Sequence, residues 1–122
     1  MSDNRRAGKI YVKVDGVQQD AKGSFSYNLG EDKRDAIVGS DGIHGYKAVP
    51  QIAFIEGAIT DKGSLDLASL ARQEDVTVTL ELANGKSIVL AAAWFAGEGT
   101  VSTEEAEITV RWESRRKGVE SL

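Results

Sequence analysis

Cysteine is absent from this sequence, and histidine and proline each occur once among its 122 residues. Without thiols there can be no disulfide scaffold, no thiolate metal site and no thiol nucleophile, so packing alone must hold the fold. The single histidine, His44, lies in a glycine-punctuated stretch and has no second histidine to join it, so no catalytic triad can be drawn; it reads as a solvated or contact residue. Positive charge is also scarce. Lys and Arg number 15 against 19 Asp and Glu, a formal charge of −4, and nucleic-acid binding depends on many Lys and Arg contacts to phosphate. A strong DNA binder is therefore disfavoured. No apolar run approaches the ~18 to 20 residues of a spanning helix. Residues 1–6 are polar with no apolar signal region behind them, so the expectation is a chain made inside the cell without a membrane anchor.

What is present is ordinary for a soluble globular chain: 41% hydrophobic and 28% charged residues. At this length one domain spanning residues 1–122 is expected, burying only about two-thirds of the surface its unfolded chain exposes, a deficit that assembly could make good. Ile10, Val12 and Val14 alternate with Tyr11, Lys13 and Asp15 as in a half-buried strand, and Asp15-Gly16 supplies a turn. Gly23 to Leu29 alternates again, with Phe25, Tyr27 and Leu29 on one face. From Gly30 to Ala48 the periodicity vanishes, and the stretch reads as a polar, irregular loop longer than most connections inside a compact domain. Val49 to Thr60 carries Ile52, Phe54, Ile55 and Ile59 on both faces, which predicts a central strand covered on both sides.

Ser64 is a candidate N-cap for one short helix over Leu65 to Arg72, with Asp66 in its first turn and Leu67, Leu70 and Ala71 on one face. Asp75 to Ala83 alternates Val76, Val78, Leu80 and Leu82 against Thr77, Thr79 and Glu81. Asn84-Gly85 then predicts a two-residue type I′ hairpin pairing Ala83 with Lys86, Leu80 with Val89 and Val78 with Ala91. That register puts Ile88, Leu90 and Trp94 on the opposite face, where they would need cover from the helix or a neighbouring subunit. Thr103 to Glu113 alternates Ala106, Ile108, Val110 and Trp112 with Glu105, Glu107, Thr109, Arg111 and Glu113. The expected architecture is mostly β: an antiparallel sandwich or open barrel with one short flanking helix, a long assembly loop over 30–48, and flexible ends at 1–6 and 114–122.

The search for chemistry is nearly empty. Gly39, Gly42 and Gly45 are spaced unlike either a dinucleotide fingerprint or a phosphate loop. Glu104, Glu105 and Glu107 fit a solvated or channel-lining face better than acid–base catalysis. Asp32, Asp35 and Asp41 lack the order and terminal Glu of a calcium loop. Arg115, Arg116 and Lys117 read as a solvated tail, and Trp94 and Trp112 as core or interface anchors. No enzymatic activity, cofactor or metal is expected.

An ordered series of motifs runs through the chain: Glu56-Gly57-Ala58-Ile59, Leu65-Asp66-Leu67 with Leu70, Asp75-Val76-Thr77-Val78-Thr79-Leu80, Asn84-Gly85-Lys86, Ala93-Trp94 and Glu107-Ile108-Thr109-Val110-Arg111-Trp112. From about Gly8 to Glu113 this series resembles the tail tube protein family of Mu-like, contractile-tailed bacteriophages. It departs from the family pattern at Ala106, where glycine is common, and at Trp112, where phenylalanine is common. The resemblance implies a β-sandwich subunit that forms hexameric rings stacked into the hollow tail tube, the conduit for genome ejection, in a virion tail assembled in the host cytoplasm. It implies as partners identical copies, the sheath, baseplate, tail terminator and tape measure proteins, and DNA only as transient cargo. Within that reading Lys33, Arg34, Asp35, Ile37, Val38, Asp41, Ile43, His44 and Tyr46 form an assembly arm, joined at the subunit interface by Ile88, Leu90 and Trp94. Glu105, Glu107 and Glu113 are candidates to face the lumen, where acidic charge would repel phosphate. The same features would suit a type VI secretion-like tube protein, a phage-derived contractile particle or a small ligand-binding β-barrel.

Overall fold

A computed structural model describes residues 10–63 and 65–121. Its ten strands and one helix run β1 (Tyr11–Val14), β2 (Val17–Asn28), β3 (Lys33–Gly39), β4 (Gly42–Val49), β5 (Ala53–Thr60), α1 (Leu67–Ala71), β6 (Val76–Glu81), β7 (Ser87–Phe95), β8 (Val101–Ser102), β9 (Glu107–Ser114) and β10 (Val119–Ser121). Six strands, β7-β6-β1-β2-β5-β9, close into an antiparallel barrel because β9 also pairs back onto β7; β10 extends the sheet beside β7 and β8 beside β9. The expected sandwich or open barrel is thus a closed barrel. Its interior is filled by Val12, Ile55, Ile59, Val78, Leu80, Ile88, Leu90, Ile108, Val110 and Trp112, all fully buried.

The alternation read in β1, β6 and β9 corresponds to the buried stripes of those strands, except that β9 starts at Glu107 and Ala106, expected on the apolar face, lies exposed in the turn before it. At Asp15-Gly16 both residues have positive φ, 50° and 84°, which joins β1 to β2 as a tight hairpin with Val14 opposite Val17. Strand β2 therefore begins well before Gly23 and runs on through a bulge between Lys22 and Ser26.

Several expectations for the barrel and its helix fail. The Asn84-Gly85 hairpin is one residue out of register: Leu80 lies opposite Ile88 and Val78 opposite Leu90. The Gly85 N–H donates to the Leu82 carbonyl at 3.1 Å, the Leu82 N–H to the Lys86 carbonyl at 2.9 Å, and only Gly85 has positive φ, +92°. This is a three-residue loop, a turn followed by a left-handed glycine bulge. The shift carries Ile88 and Leu90 into the core, so they are not interface residues, and the apolar excess ascribed to this hairpin disappears.

Strand β5 is central, between β2 and β9, but it buries one face only: Ala53, Ile55 and Ile59 point inward. Phe54 is covered from outside by the Arg111 guanidinium, 4.0 Å from the ring centroid. Helix α1 is shorter than expected and is capped by Asp66, whose carboxylate accepts from the Ala68 and Ser69 N–H groups at 3.1 and 3.4 Å. Ser64, the expected cap, lies outside the described residues. The Ser69 hydroxyl and the backbone N–H groups together hold the Asp66 carboxyl below its ordinary 3.8. Finally, residues 114–121 are not a loose end. Ser114 is buried and donates to the Ala91 carbonyl at 2.6 Å, and β10 pairs with β7. Residues 1–6 and 122 lie outside the described residues.

Ala106 has φ +53°, left-handed backbone in which a glycine would avoid the Cβ penalty that alanine bears.

Candidate assembly surfaces

The stretch from Gly30 to Ala48 is not an irregular loop but a second, two-stranded sheet. β3 and β4 pair with each other from Lys33↔Val49 to Gly39↔Gly42, with a bulge between Ile37 and Val38, and among the described residues neither pairs with any other strand. The arm leaves the barrel at Gly30, whose φ is +85° and where a Cβ would stand 3.0 Å from that of Ala53. Its turn brings Asp41 and His44 together, Nε2 to Oδ1 at 2.6 Å. Lys33 and Asp35 lie 3.6 Å apart, and the Arg34 guanidinium sits 4.9 Å from the Tyr46 ring centroid.

On this arm the apolar groups face water. Ile37 is 44% exposed, Tyr46 56%, Val38 71% and Ile43 74%. With both outer strand edges unpaired among the described residues, the arm combines the two features that drive strands and surfaces to associate, free backbone groups and uncovered apolar area. The nine arm residues named from sequence are therefore brought onto one hairpin. The pattern missed was Ser40-Asp41-Gly42, a turn signal between Ile37-Val38 and Ile43 that marks two strands rather than a loop.

Trp94 is half-buried on the outside of β7, opposite Glu113 on β9. It shares an open depression with Glu74, Asp75, Ala92, Arg115 and Arg116. The expected basic tail is divided, since Lys117 instead pairs with Glu31 at 3.0 Å; that contact raises the Lys117 pKa.

The three glutamates considered for a channel face do not form one carboxylate stripe. Glu107 and Glu113 alternate onto the outward face of β9, but each has a cation: Lys22 lies 3.6 Å from Glu107, and Arg111 donates to Glu113 at 2.7 Å and to Glu56 at 2.6 Å. Glu105 stands before β9 in the turn that Ala106 closes, exposed, with its backbone carbonyl accepting from Lys22 at 2.6 Å. Sequence alternation cannot find the Glu56–Arg111–Glu113 network because it joins two strands 55 positions apart. Among the described residues no group of three or more His, Asp or Glu gathers at metal-binding spacing.

Over residues 3–117 the sequence matches the family model described as phage tail tube protein. The tail tube protein of Escherichia phage Mu is 29% identical over 98 residues, 80% of this chain and 82% of that protein. Among solved structures, the tube-terminating cap of the anti-feeding prophage superposes with a TM-score of 0.64 at 12% identity, covering 100% of this chain and 93% of the other. The sheath/tube terminator of an extracellular contractile injection system, PVC, in its extended state gives 0.65 at 14% identity, covering 100% and 99%. The sheath-tube complex of the same system gives 0.62 at 13%, covering 95% and 90%. At such identities the likeness to these structures is one of fold.

Proposed function

We propose, because this chain belongs to the phage tail tube protein family, that its copies close into six-membered rings which stack into the hollow tube of a virion tail and form the conduit for genome ejection. The observation that carries this reading is the arm. A closed barrel has no free edge of its own to offer along most of its circumference, yet β3 and β4 project from it with outer edges that pair with no other strand among the described residues and with four exposed large apolar side chains. Such a surface is costly on a monomer and is covered when neighbours meet. The tail sheath, the terminator, the baseplate and the tape measure protein are the partners a tube of this kind engages, and DNA passes through as cargo. The filled barrel interior argues against a small ligand-binding barrel, which needs an enclosed cavity.

Concentrated protein observed by negative-stain microscopy and sedimentation velocity should form rings or tubes. Monomer alone at high concentration, with no filaments even on baseplate nuclei, would overturn the reading. Replacing Asp32 to Lys47 with a short Gly-Ser linker should leave a cooperatively folded monomer, because the barrel ladders do not include the arm. That variant should not assemble.

A further inference from the structure

Strand β10 is weakly held. Its three residues are all exposed, Val119 at 59%, and none of them belongs to the buried core. It lies along β7 with Val119 opposite Val89, Glu120 opposite Ile88 and Ser121 opposite Ser87. Beyond that ladder its contacts are exposed ones of Glu120, 3.3 Å from the Lys86 ammonium and 3.5 Å from the Tyr27 hydroxyl, of the kind that solvent screens heavily. The chain before it is anchored separately: the Gly118 N–H donates to the Leu29 carbonyl at 2.8 Å, and Lys117 pairs with Glu31. So β10 can lift while residue 118 stays in place, a local opening of the low-stability kind.

Beneath it is a strand edge. Ser87 to Val89 pair with β6 on one side and with β10 on the other, so lifting β10 leaves a free edge flanked by Lys86 and Tyr27. The arm carries a strand that matches this vacated place. β3 pairs only with β4 among the described residues, and its Arg34-Asp35-Ala36 sets a carboxylate in the middle of three residues, as Val119-Glu120-Ser121 does.

We propose that in the assembled state β3 of a second copy displaces β10 from β7, with Asp35 taking the place of Glu120 beside Lys86 and Tyr27. β10 is then a placeholder: it covers an edge that would otherwise pair indiscriminately, and it yields to a strand with a longer ladder. This rests on the ring-and-tube reading and adds to it where the arm docks and what must move first. Because only opened copies accept a neighbour, the opening equilibrium weakens association by the fraction of copies that are open.

Three full-chain tests address it, with circular dichroism to confirm folding of each variant. The pair Val89→Cys/Val119→Cys joins directly opposed residues in a chain that has no other cysteine; oxidised, it should block tube growth, and reduction should restore it. Ending the chain after Gly118 should lower the threshold concentration for growth about tenfold, equivalent to about 1.4 kcal/mol. Lys86→Glu and Asp35→Lys should each suppress growth and together recover it; Lys86→Glu also loosens β10, so its failure to assemble isolates the lost attraction to Asp35. Growth of the oxidised pair at wild-type rate, an unchanged or raised threshold on truncation, or a double charge variant no better than its singles would overturn the placeholder while leaving the tube reading intact, provided the unmodified chain forms tubes. An unmodified chain that forms none removes both.

Discussion

Replacing Trp112 with phenylalanine tests the seam on which the barrel depends. The β9–β7 ladder is two residue pairs long, Trp94↔Glu113 and Phe95↔Trp112, and Trp112 reinforces it from inside. It is fully buried; its indole N–H donates to the Gln73 side chain at 2.8 Å, and its ring meets Phe95 edge-on with centroids 5.9 Å apart. Gln73 also receives the Phe95 N–H on its backbone carbonyl at 3.0 Å, so one residue after α1 holds both sides of the seam. Phenylalanine removes roughly 40 Å³ of packed volume, which at about 24 cal/mol per Å³ costs roughly 1 kcal/mol. The lost hydrogen bond adds about 1 kcal/mol. The sum, about 2 kcal/mol, should lower the melting temperature by roughly 6 to 10 °C in a chain of this size. Gln73→Leu should cost about 1 to 3 kcal/mol by leaving the buried indole N–H without its acceptor. Because both changes delete the same bond, Trp112→Phe/Gln73→Leu should cost about 1 kcal/mol less than the sum of the singles. Urea unfolding followed by circular dichroism measures all four chains. Additivity to within about 0.3 kcal/mol would refute the claim that this bond ties the seam.

Other expectations follow from single residues. Ala106→Gly should be neutral or stabilising by up to about 1 kcal/mol, the reverse of the usual cost of introducing glycine, since it relieves left-handed backbone at φ +53°; thermal unfolding decides the sign. Gly57→Ala should destabilise by about 1 to 3 kcal/mol, because its Cβ would stand 2.6 Å from Phe25 ring carbons; an unchanged denaturation midpoint would show that the Phe25 ring yields freely. Asp66 has its folded pKa lowered below 3.8, so its stabilising contribution is present above the unfolded pKa and is lost as pH falls through the folded one. Asp66→Ala should therefore be less stable than the parent at pH 7, with the gap narrowing in acid; a gap constant with pH would contradict the capping account. Glu105→Lys, at an exposed turn, should change stability by less than about 0.5 kcal/mol while slowing genome ejection if that turn borders the channel, and unchanged ejection kinetics would remove it from the lumen.

Much of the barrel was legible because its strands obey a period of two with one face buried: Val12 and Val14, Val76 to Leu80, and Ile108 to Trp112 announce themselves by alternation alone. The segment 30–48 stood out in the sequence but was misread in form. Its strands bury neither face, so no apolar alternation separates them from a loop, and only the Ser40-Asp41-Gly42 turn marks the hairpin. The placing of Ile88 and Leu90 failed at the turn, where Asn84-Gly85 fits either of two loop lengths and local propensity does not choose between them. The choice is made across the barrel, by the need to bury two large aliphatic side chains. The ends of the charged networks, Lys22 with Glu107 and Arg111 with Glu56, depend on which strands become neighbours, which no local window contains.

The three-residue turn between β6 and β7 also bears on how this gene can diverge. Surface loops normally accumulate changes in both spelling and length. Here Asn84, whose side-chain oxygen accepts from the Lys86 N–H at 3.0 Å, and Gly85, which must hold φ +92°, are constrained in spelling, and the three residues are not free in number. Gain or loss of one codon would turn Ile88 and Leu90, both fully buried, out to solvent and bring Ser87 and Val89 inward. Length variation and recombination breakpoints are therefore expected to avoid this surface turn while remaining tolerable in segments that set no register.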